Sequence, residues 1–472
     1  MAKKSKFFCN ECGYESSGWL GRCPSCGTWN SFVEESLPKS KKSATPSARA
    51  WLDELVDEDE SEKGHGETRA IELSEVDLQV ERRVSSGISE LDSVLGGGFV
   101  EGSLVLLGGE PGIGKSTLLM QVCENADFEM PYLYVCGEES SSQIKLRAER
   151  LGIQRRGIRL LPEILFERIA EVIVALKCKF CIIDSIQTLY SEALSAAPGS
   201  VSQVREVTAG LLRLAKRLNC CIVLVGHVTK DGSLAGPRVL EHMVDCVLSF
   251  DGESGEELRS IRATKNRFGA TNALGLFRMT GEGLLPIEDA SAALLSGRPQ
   301  SLPGSAITCT LEGKRPLLIE VQALLNRSVF GAGQRMTQGF DRSRLGLLLA
   351  LLEKQFHLDL GNYDAFINLI GGIRISETAI DLAVLAALLS TYKEVPLREK
   401  TVLIGEVGLT GESRRVQGIV ERVQEVSKYD FDQVIVPSAC RRGLEKLHEK
   451  PCKILYLDHI RELPDLALIE KN

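Results

Sequence analysis

The sequence predicts an α/β protein whose central domain is a doubly wound, mainly parallel sheet with an antiparallel extension. Four continuous apolar runs that end in small or polar residues indicate strands covered on both faces. They are SLVLLGG (103–109), YLYVCG (132–137), FCIIDS (180–185) and CIVLVGH (221–227). Between the last two runs, a helix is predicted because Val204, Thr208, Leu211, Leu212, Ala215 and Leu218 recur at helical spacing. Two β-like runs, CVLSF (246–250) and ALGLFRMT (273–280), predict the antiparallel extension.

Composition bounds the class of protein. The chain has 472 residues, 43 % hydrophobic and 25 % charged, which suits a globular protein of about three domains. Its 56 Lys and Arg against 64 Asp and Glu give a net charge of −8, so any nucleic-acid contact must come from local patches. No run is long enough to span a membrane, and the start MAKKSKFFCNECG lacks the apolar stretch of a signal peptide. Fourteen cysteines without an export signal indicate the reducing cytoplasm.

Four segments follow from these patterns. Residues 1–33 form a small cysteine-bearing unit, and residues 34–70, which are polar, charged and rich in Ser, Pro and Lys, predict a flexible linker. Residues 71–295 hold the sheet described above. Residues 296–472 predict a second α/β unit with helices over 344–356 and 378–392 and strands over 365–373, 401–409, 433–437 and 453–457.

The N-terminal unit carries the spacing of a metal site. Cys9, Cys12, Cys23 and Cys26 form C-x2-C-x10-C-x2-C, which predicts a closed tetrahedral Zn²⁺ centre with four thiolate ligands. Trp19 and Trp29 lie in or beside this unit, and we interpret them as its minimal core; stacking on nucleic-acid bases is the alternative. A second C-x-x-C, at Cys178 and Cys181, has no partner set and is interpreted as packing.

A phosphate-binding loop follows the first strand. The segment GGEPGIGKST (108–117) fits G-x-x-x-x-G-K-S and lies between an apolar strand and a helix start. Backbone N–H groups of such a loop face nucleotide phosphates, a lysine neutralises the β- and γ-phosphate oxygens, and a hydroxyl holds Mg²⁺. The predicted nucleotide-binding residues are Gly108, Gly109, Glu110, Pro111, Gly112, Ile113, Gly114, Lys115, Ser116 and Thr117.

Acidic residues at neighbouring strand ends complete the predicted ATPase site. Asp184 ends the run FCIIDS and is expected to join Ser116 on Mg²⁺. Glu138 and Glu139 follow another strand, and one of them is expected to act as general base; the alternative is an acidic first helical turn. His227 is expected either to sense the γ-phosphate or to be structural.

A short basic run, RATKNRFGAT (262–271), lies between the two β-like runs of the extension. Lys265 and Arg267 are two residues apart, so on a strand they share a face and both cations can point at phosphate. In a ring of subunits, such a cation reaches the nucleotide of the neighbouring subunit, as an arginine finger does. Lys265 or Arg267 is therefore expected to act in trans on ATP or to couple its state to DNA.

The motifs together resemble one family. A four-cysteine finger, ELDSVLGGGFVEGSLVLLGGEPGIGKST, IIDSIQT, GHVTKDGSLAGPRVLEHMVD and KNRFG occur in the order typical of the bacterial RadA (Sms) family. These are RecA-like ATPases of DNA repair and recombination, and KNRFG is their signature motif. The resemblance covers nearly the whole chain and implies a hexameric ring with ATP between subunits. It also implies hydrolysis stimulated by single-stranded or branched DNA, branch migration, and the RecA recombinase as a partner.

The C-terminal unit resembles the proteolytic domain of Lon but lacks its Ser–Lys dyad. Aligned on GGIRISETAIDLAVLAALLS, Ala379 or the adjacent Thr378 stands at the serine position. Aligned on VQGIVERV, Val420 stands at the lysine position. Without nucleophile or activating amine there is no acyl transfer, so a scaffold is expected. Its candidate DNA contacts are Arg342, Arg344, Arg374, Arg414 and Arg415.

We therefore predict a DNA-dependent ATPase that processes recombination intermediates. A KaiC-like regulatory ATPase acting on protein partners is the alternative, and an ATP-dependent protease is disfavoured by Ala379 and Val420.

Overall fold

The computed structural model describes residues 5–9, 14–25, 27–36, 82–227, 239–252, 257–271, 273–298, 301–313, 315–328, 333–445, 447 and 452–469. The chain divides into two compact units, Met1–Pro286 and Ile287–Asn472. Most of the expected linker lies outside the described residues, as do Lys230 and Arg238, two cations that the sequence offers as candidate contacts to DNA phosphates. No described helix combines the length and the apolar character needed to cross a membrane.

The N-terminal segment forms a three-stranded antiparallel sheet. Its strands are β1 (Ser5–Cys9), β2 (Glu15–Ser16) and β3 (Phe32–Ser36), in the order β2-β1-β3. Cys9, Cys23 and Phe32 are buried together, with Phe7 packed against them. Trp19 and Trp29 are 55 % and 68 % exposed, so the interpretation of the tryptophans as core is wrong. Cys9 at the end of β1, Cys23 and Phe32 supply the described interior instead.

The first unit is built on a nine-stranded sheet. Its strands are β6 (Leu104–Gly109), β7 (Tyr132–Cys136), β8 (Ile158–Leu161), β9 (Phe180–Asp184), β10 (Cys221–His227), β11 (Cys246–Asp251), β12 (Leu258–Asn266), β13 (Leu274–Thr280) and β14 (Gly283–Pro286). They lie in the order β14-β13-β12-β11-β6-β10-β9-β7-β8. Six of these strands run parallel, and β12, β13 and β14 extend the sheet antiparallel, which confirms the predicted class. A separate two-stranded ribbon pairs β4 (Arg83–Val84) with β5 (Phe99–Val100).

Helices cover both faces of this sheet, which is why its strands are continuously apolar. Alternate residues of β6 enter different clusters: Leu104 and Leu106 pack on one face, and Val105 and Leu107 on the other. The helices are α1 (Ser89–Leu95), α2 (Lys115–Asn125), α3 (Ser141–Arg150), α4 (Phe166–Leu176), α5 (Val201–Leu218) and α6 (Val239–Met243). In α5, Ser200 caps the first turn by accepting from the Gln203 backbone N–H, as its residue type favours.

The second unit is a seven-stranded mixed sheet in the order β17-β18-β16-β15-β19-β22-β23. These strands are β15 (Ser305–Glu312), β16 (Arg315–Arg327), β17 (Arg335–Gln338), β18 (Tyr363–Leu369), β19 (Thr401–Leu403), β22 (Gln433–Pro437) and β23 (Lys453–Leu457). The ribbon β20 (Glu406–Val407) and β21 (Ser413–Arg414) stands apart. The helices are α7 (Ala290–Leu295), α8 (Arg342–Phe356), α9 (Asp381–Lys393), α10 (Ile419–Val426), α11 (Arg441–Leu444) and α12 (Leu463–Ala467).

One predicted strand of this unit is divided. The apolar run over 401–409 becomes β19 and β20, which belong to different sheets. Gly405 lies between them, where a Cβ atom would stand 2.4 Å from Leu382 Cδ1 of α9. The close approach of the chain to that helix takes it out of the main sheet.

Candidate functional site

The phosphate-binding loop joins β6 to α2 at the carboxyl edge of the parallel strands. Gly112 and Gly114 adopt φ values of 77° and 120°, a region that side chains disfavour. A Cβ atom on Gly109 would lie 2.7 Å from the Phe250 carbonyl oxygen, and one on Gly114 would lie 2.6 Å from Met279 Cε. The glycines of the motif are therefore required by backbone conformation and by close packing.

Lys115 opens α2 with its side chain buried. Its Nζ donates to the carbonyl oxygens of Gly109 at 2.8 Å and Glu110 at 2.9 Å, and lies 3.4 Å from His227 Nδ1. Burial lowers the pKa of the ammonium, while the carboxylates of Asp184 and Glu138 oppose that shift. The lysine is thus held at the loop, where a phosphate would meet its charge.

Ser116 and Asp184 meet at the same edge. Ser116 Oγ donates to Asp184 Oδ2 over 2.7 Å, and Tyr134 Oη donates to the same oxygen over 2.6 Å. Burial, and next the Asp184 charge, raise the pKa of Tyr134 well above its ordinary value, so the phenol stays a hydrogen-bond donor. A hydroxyl and a carboxylate are oxygen ligands of the kind that Mg²⁺ prefers. The sequence prediction did not include Tyr134.

Glu138 faces this cluster. Ser185 Oγ donates to Glu138 Oε1, and His227 Nε2 lies 3.1 Å and 3.2 Å from its two carboxylate oxygens. Because the other nitrogen of His227 approaches Lys115, the imidazole connects the carboxylate of Glu138 with the loop lysine. Ser185 is a second contributor that sequence reasoning missed.

The side chain of Glu139 faces Arg147 instead of this cluster. Its two carboxylate oxygens accept from Arg147 Nη1 and Nη2 of α3, each over 2.6 Å. The arginine in turn has a raised pKa, chiefly because of that hydrogen bond. A carboxylate held in a bidentate ion pair has its lone pairs engaged. Of the two adjacent glutamates, Glu138 is therefore the one that the structure brings to Lys115 and His227.

The basic run lies at the opposite edge of the sheet from the phosphate-binding loop of the same chain. Strand β12 is antiparallel to β11, so Asn266 pairs with Cys246 at the amino edge of the parallel strands. Lys265 is level with Val247, whereas Gly109 is level with Phe250. Three residues of strand separate the two levels by about 10 Å. Lys265 and Arg267 thus lie apart from Lys115 and Asp184 of their own chain.

Both cations contact the end of α6 or the turn that leads from it to β11. Lys265 Nζ donates to the carbonyl oxygens of Glu241, His242 and Val244 over 2.7, 3.1 and 2.8 Å. Arg267 Nη1 pairs with Asp245 Oδ1 at 3.3 Å. Burial, and next the charge of Arg267, lower the pKa of Lys265. Both side chains therefore contact the same short segment, residues 241–245, of their own chain.

The predicted metal ligands are described in part. Cys9 and Cys23 are buried in one cluster, and Cys9 Sγ lies 3.1 Å from Ser31 Oγ; Cys12 and Cys26 lie outside the described residues. Backbone turns follow the second pair: Cys23 N–H donates to Thr28 O, and Gly27 N–H donates to Cys23 O, both over 2.9 Å. Two buried thiols in such turns suit a thiolate zinc centre.

The C-terminal positions aligned with a protease dyad hold no catalytic pair. Ala379 is buried in the apolar cluster of this unit, and Val420 packs against the same cluster. Thr378 Oγ1 donates to Glu406 Oε2 over 2.6 Å. Among the candidate DNA contacts, Arg344 instead forms an ion pair with the buried Asp381.

Three family descriptions match parts of the chain. Residues 7–34 match the rubredoxin metal-binding domain, residues 68–233 match an AAA domain, and residues 346–440 match the ChlI subunit of Mg-chelatase. The first two cover the cysteine-bearing unit and the nucleotide-site strands. They agree with a zinc ribbon followed by an ATPase domain.

Comparison of whole chains is more specific. The DNA repair protein RadA of Bacillus subtilis (strain 168) is 47 % identical over 448 residues, which are 94 % of this chain and 95 % of that one. Two solved structures match only part of the chain. A KaiC-like protein of Pyrococcus horikoshii is 24 % identical, and the match covers 44 % of this chain and 99 % of that chain with a TM-score of 0.37. The RadB recombinase is 25 % identical, and the match covers 43 % of this chain and 99 % of that chain with a TM-score of 0.35. Identity along nearly the whole length decides the assignment: the chain belongs to the RadA family of DNA repair proteins.

Proposed function

We propose that this protein is a ring-forming, DNA-dependent ATPase that processes recombination intermediates by moving along DNA and migrating branches. The observation that carries the proposal is the convergence of Lys115, Ser116, Asp184 and Glu138 at one sheet edge, with Ser116 Oγ and Asp184 Oδ2 2.7 Å apart. Family membership supplies DNA as the substrate class. As the cysteine usage indicates, the protein would work in the cytoplasm.

Each side chain has a distinct role at the ATP site. Backbone N–H groups of 108–114 and Lys115 would bind the phosphates, and Ser116 with Asp184 would hold Mg²⁺, which supplies charge neutralisation at the β- and γ-oxygens. Tyr134 keeps Asp184 oriented through its hydroxyl. Glu138, held by Ser185 and His227, would accept the proton of the attacking water.

The ring completes the site from the neighbouring subunit. Lys265 and Arg267 lie at the sheet edge opposite their own phosphate-binding loop, so they would serve the nucleotide of the next subunit or report its state to DNA. A hexamer is the proposed assembly, and the RecA recombinase is the proposed partner, both from the family resemblance. Zn²⁺ would be held by Cys9, Cys12, Cys23 and Cys26.

The C-terminal unit would be a scaffold rather than a protease. Ala379 and Val420 stand where a nucleophile and an amine are needed, and the hydroxyl of Thr378 is directed to the carboxylate of Glu406. Its exposed arginines, Arg342, Arg374, Arg414 and Arg415, would contact DNA.

The test is ATP hydrolysis measured with and without single-stranded DNA at low salt, where phosphate contacts are strongest. We expect DNA to stimulate hydrolysis by the wild-type protein but not by Lys115→Ala, and branch migration of a synthetic three-strand junction to require ATP. Absence of stimulation at low salt would overturn the proposed DNA dependence. Casein degradation that Lys115→Ala abolishes would revive the protease hypothesis.

A further inference from the structure

Two tryptophans of the N-terminal unit stand exposed in the segment between β2 and β3. Trp19 is 55 % exposed and Trp29 is 68 % exposed. Both indoles approach Gly21: a Cβ atom built there would lie 3.8 Å from Trp19 Cζ3 and 3.9 Å from Trp29 Cζ3. Both rings therefore lie beside the same stretch of backbone.

An arginine accompanies one of the rings. Arg22 and Trp29 face each other across an antiparallel bridge, and the guanidinium carbon lies 5.7 Å from the indole centroid. Arg22 Nε also donates to the Gly27 carbonyl oxygen over 2.9 Å, and Asn30 N–H donates to Gly21 O over 2.8 Å. The hairpin therefore holds the cation and the ring in a defined arrangement.

The fold of this unit does not need the two indoles. Its described interior consists of Cys9, Cys23 and Phe32, with Phe7 packed against them. Tryptophan gains more from burial than almost any other side chain, so a small unit that leaves two exposed forgoes a large stabilisation. Exposed aromatic faces of this kind mark a binding surface.

The cation beside the rings indicates the occupant. The neighbours of the rings in sequence include the polar Ser17 and Asn30 but also Leu20, which is 37 % exposed, so the patch is mixed in character. Arg22 is the described cationic side chain that lies over one of the rings. An aromatic face beside a cation suits unpaired bases, since every base has a π-face and each nucleotide carries a phosphate.

We propose that Trp19, Trp29 and Arg22 form a stacking site for the unpaired bases of single-stranded DNA. The site is separate from the ATPase domain and would bind the strand without ATP. The inference rests on the proposed function in taking DNA as the substrate, and it assigns the N-terminal unit a direct part in holding that substrate.

The experiment uses the full-length, zinc-loaded protein with Trp51→Phe, so that Trp19 and Trp29 are the only tryptophans left of the three in the chain. Oligo(dT) is titrated without nucleotide, and indole fluorescence is followed. We expect strong quenching in this parent. In Trp19→Ala and Trp29→Ala we expect a smaller quench and roughly ten-fold weaker binding each. Trp29→Phe keeps an aromatic face and retains most of the affinity.

Gly21→Ala is the matched control, because its methyl group would meet both rings only at ordinary van der Waals distance and changes neither indole. Bound zinc and circular dichroism confirm that each variant is folded. Unchanged fluorescence on saturation with oligo(dT), or equal affinity of the folded double alanine variant, overturns the proposal. The proposal also fails if the alanine variants lose a protein partner while oligo(dT) leaves the parent's fluorescence unaltered.

DNA-stimulated ATP hydrolysis by the same proteins separates this inference from the proposed function. If DNA stimulates hydrolysis by the parent while the indoles report no contact, the stacking site is refuted and the motor stands. If the indoles are quenched but DNA does not stimulate hydrolysis, the proposed function fails while the stacking site stands.

Discussion

Replacing Glu138 by glutamine should nearly abolish ATP hydrolysis, whereas the same change at Glu139 should not. The glutamine side chain would keep the size of the original and a hydrogen bond to Ser185, but it cannot accept a proton. General-base catalysis contributes about 10²–10⁴-fold, so hydrolysis should fall by that factor, equivalent to about 3–5 kcal/mol of activation free energy. Nucleotide affinity should change by less than about three-fold, because the phosphate contacts come from the loop and Lys115.

Glu139 provides a matched control on the adjacent residue. Its partner Arg147 is 19 % exposed and Glu139 itself is 36 % exposed, so loss of that pair should cost at most about 1 kcal/mol of folding stability. Hydrolysis by Glu139→Gln should stay within about two-fold of wild type. The assay is single-turnover hydrolysis with MgATP and saturating single-stranded DNA, alongside binding of a fluorescent ATP analogue. If Glu139→Gln loses hydrolysis and Glu138→Gln retains it, the assignment drawn from the contacts is refuted.

Four more outcomes are expected. Tyr134→Phe removes one of two hydroxyl donors to Asp184, so the Mg²⁺ concentration for half-maximal hydrolysis should rise about five- to ten-fold, measured by metal titration. Lys265→Ala should bind ATP normally but hydrolyse it at least about 10²-fold more slowly, and mixing it with Lys115→Ala should restore part of the activity, since each subunit lacks a different half of the site. Because burial lowers the pKa of Lys115 and its charged form binds phosphate, ATP affinity should fall as pH rises through that lowered value, below the pH at which an exposed lysine titrates. Arg422→Met should destabilise the second unit by about 1–3 kcal/mol in urea denaturation, because Arg422 is 1 % exposed and its removal leaves the carbonyl oxygens of Cys309 and Gln417 without this donor.

Each of these four predictions has an outcome that would contradict it. An unaltered Mg²⁺ dependence would show that the tyrosine hydroxyl does not position the carboxylate. Failure of the two inactive variants to complement each other would remove the argument for action in trans. A flat profile of ATP affinity up to about pH 10 would contradict the lowered lysine pKa. For Arg422→Met, the exposed pair Lys400–Asp430 supplies the comparison: Lys400→Met should leave the denaturation midpoint unchanged within error.

The sequence predicted those residues of the proposed nucleotide site that a short motif or the end of a strand marks. The loop glycines, Lys115, Ser116 and Asp184 are each marked by a strand end or a motif, and the structure places them together. Glu138 and Glu139 are not separable by sequence, because the choice depends on Arg147, eight residues further along in α3. Tyr134 was not predicted, because a tyrosine in an apolar strand is typical of core packing. The one feature that could have indicated its role is a hydroxyl on a strand that neighbours the strand ending in Asp184.

Two other outcomes depended on tertiary contacts. Trp19 and Trp29 were expected inside the N-terminal unit on residue type alone, but Phe32 and the cysteines occupy that interior. Lys265 and Arg267 were recognised as a pair by their spacing. Their position relative to the phosphate-binding loop depends on the direction of β12 in the sheet, which spacing within the run does not reveal.

The shared sheet has a mechanical consequence. Val247 pairs with Lys265 on one side and with Leu106 on the other, so one sheet carries the cations and the strand that leads into the phosphate-binding loop, with a register shift between Val247 and Leu248. The sheet would therefore set the distance between the ATP site of one subunit and the cations that the subunit would offer to its neighbour. In a ring of such subunits, reach would be constant, and only the tilt between neighbours would open or close an ATP site. A motor built this way would convert hydrolysis into rotation at subunit boundaries rather than into extension of a flexible arm.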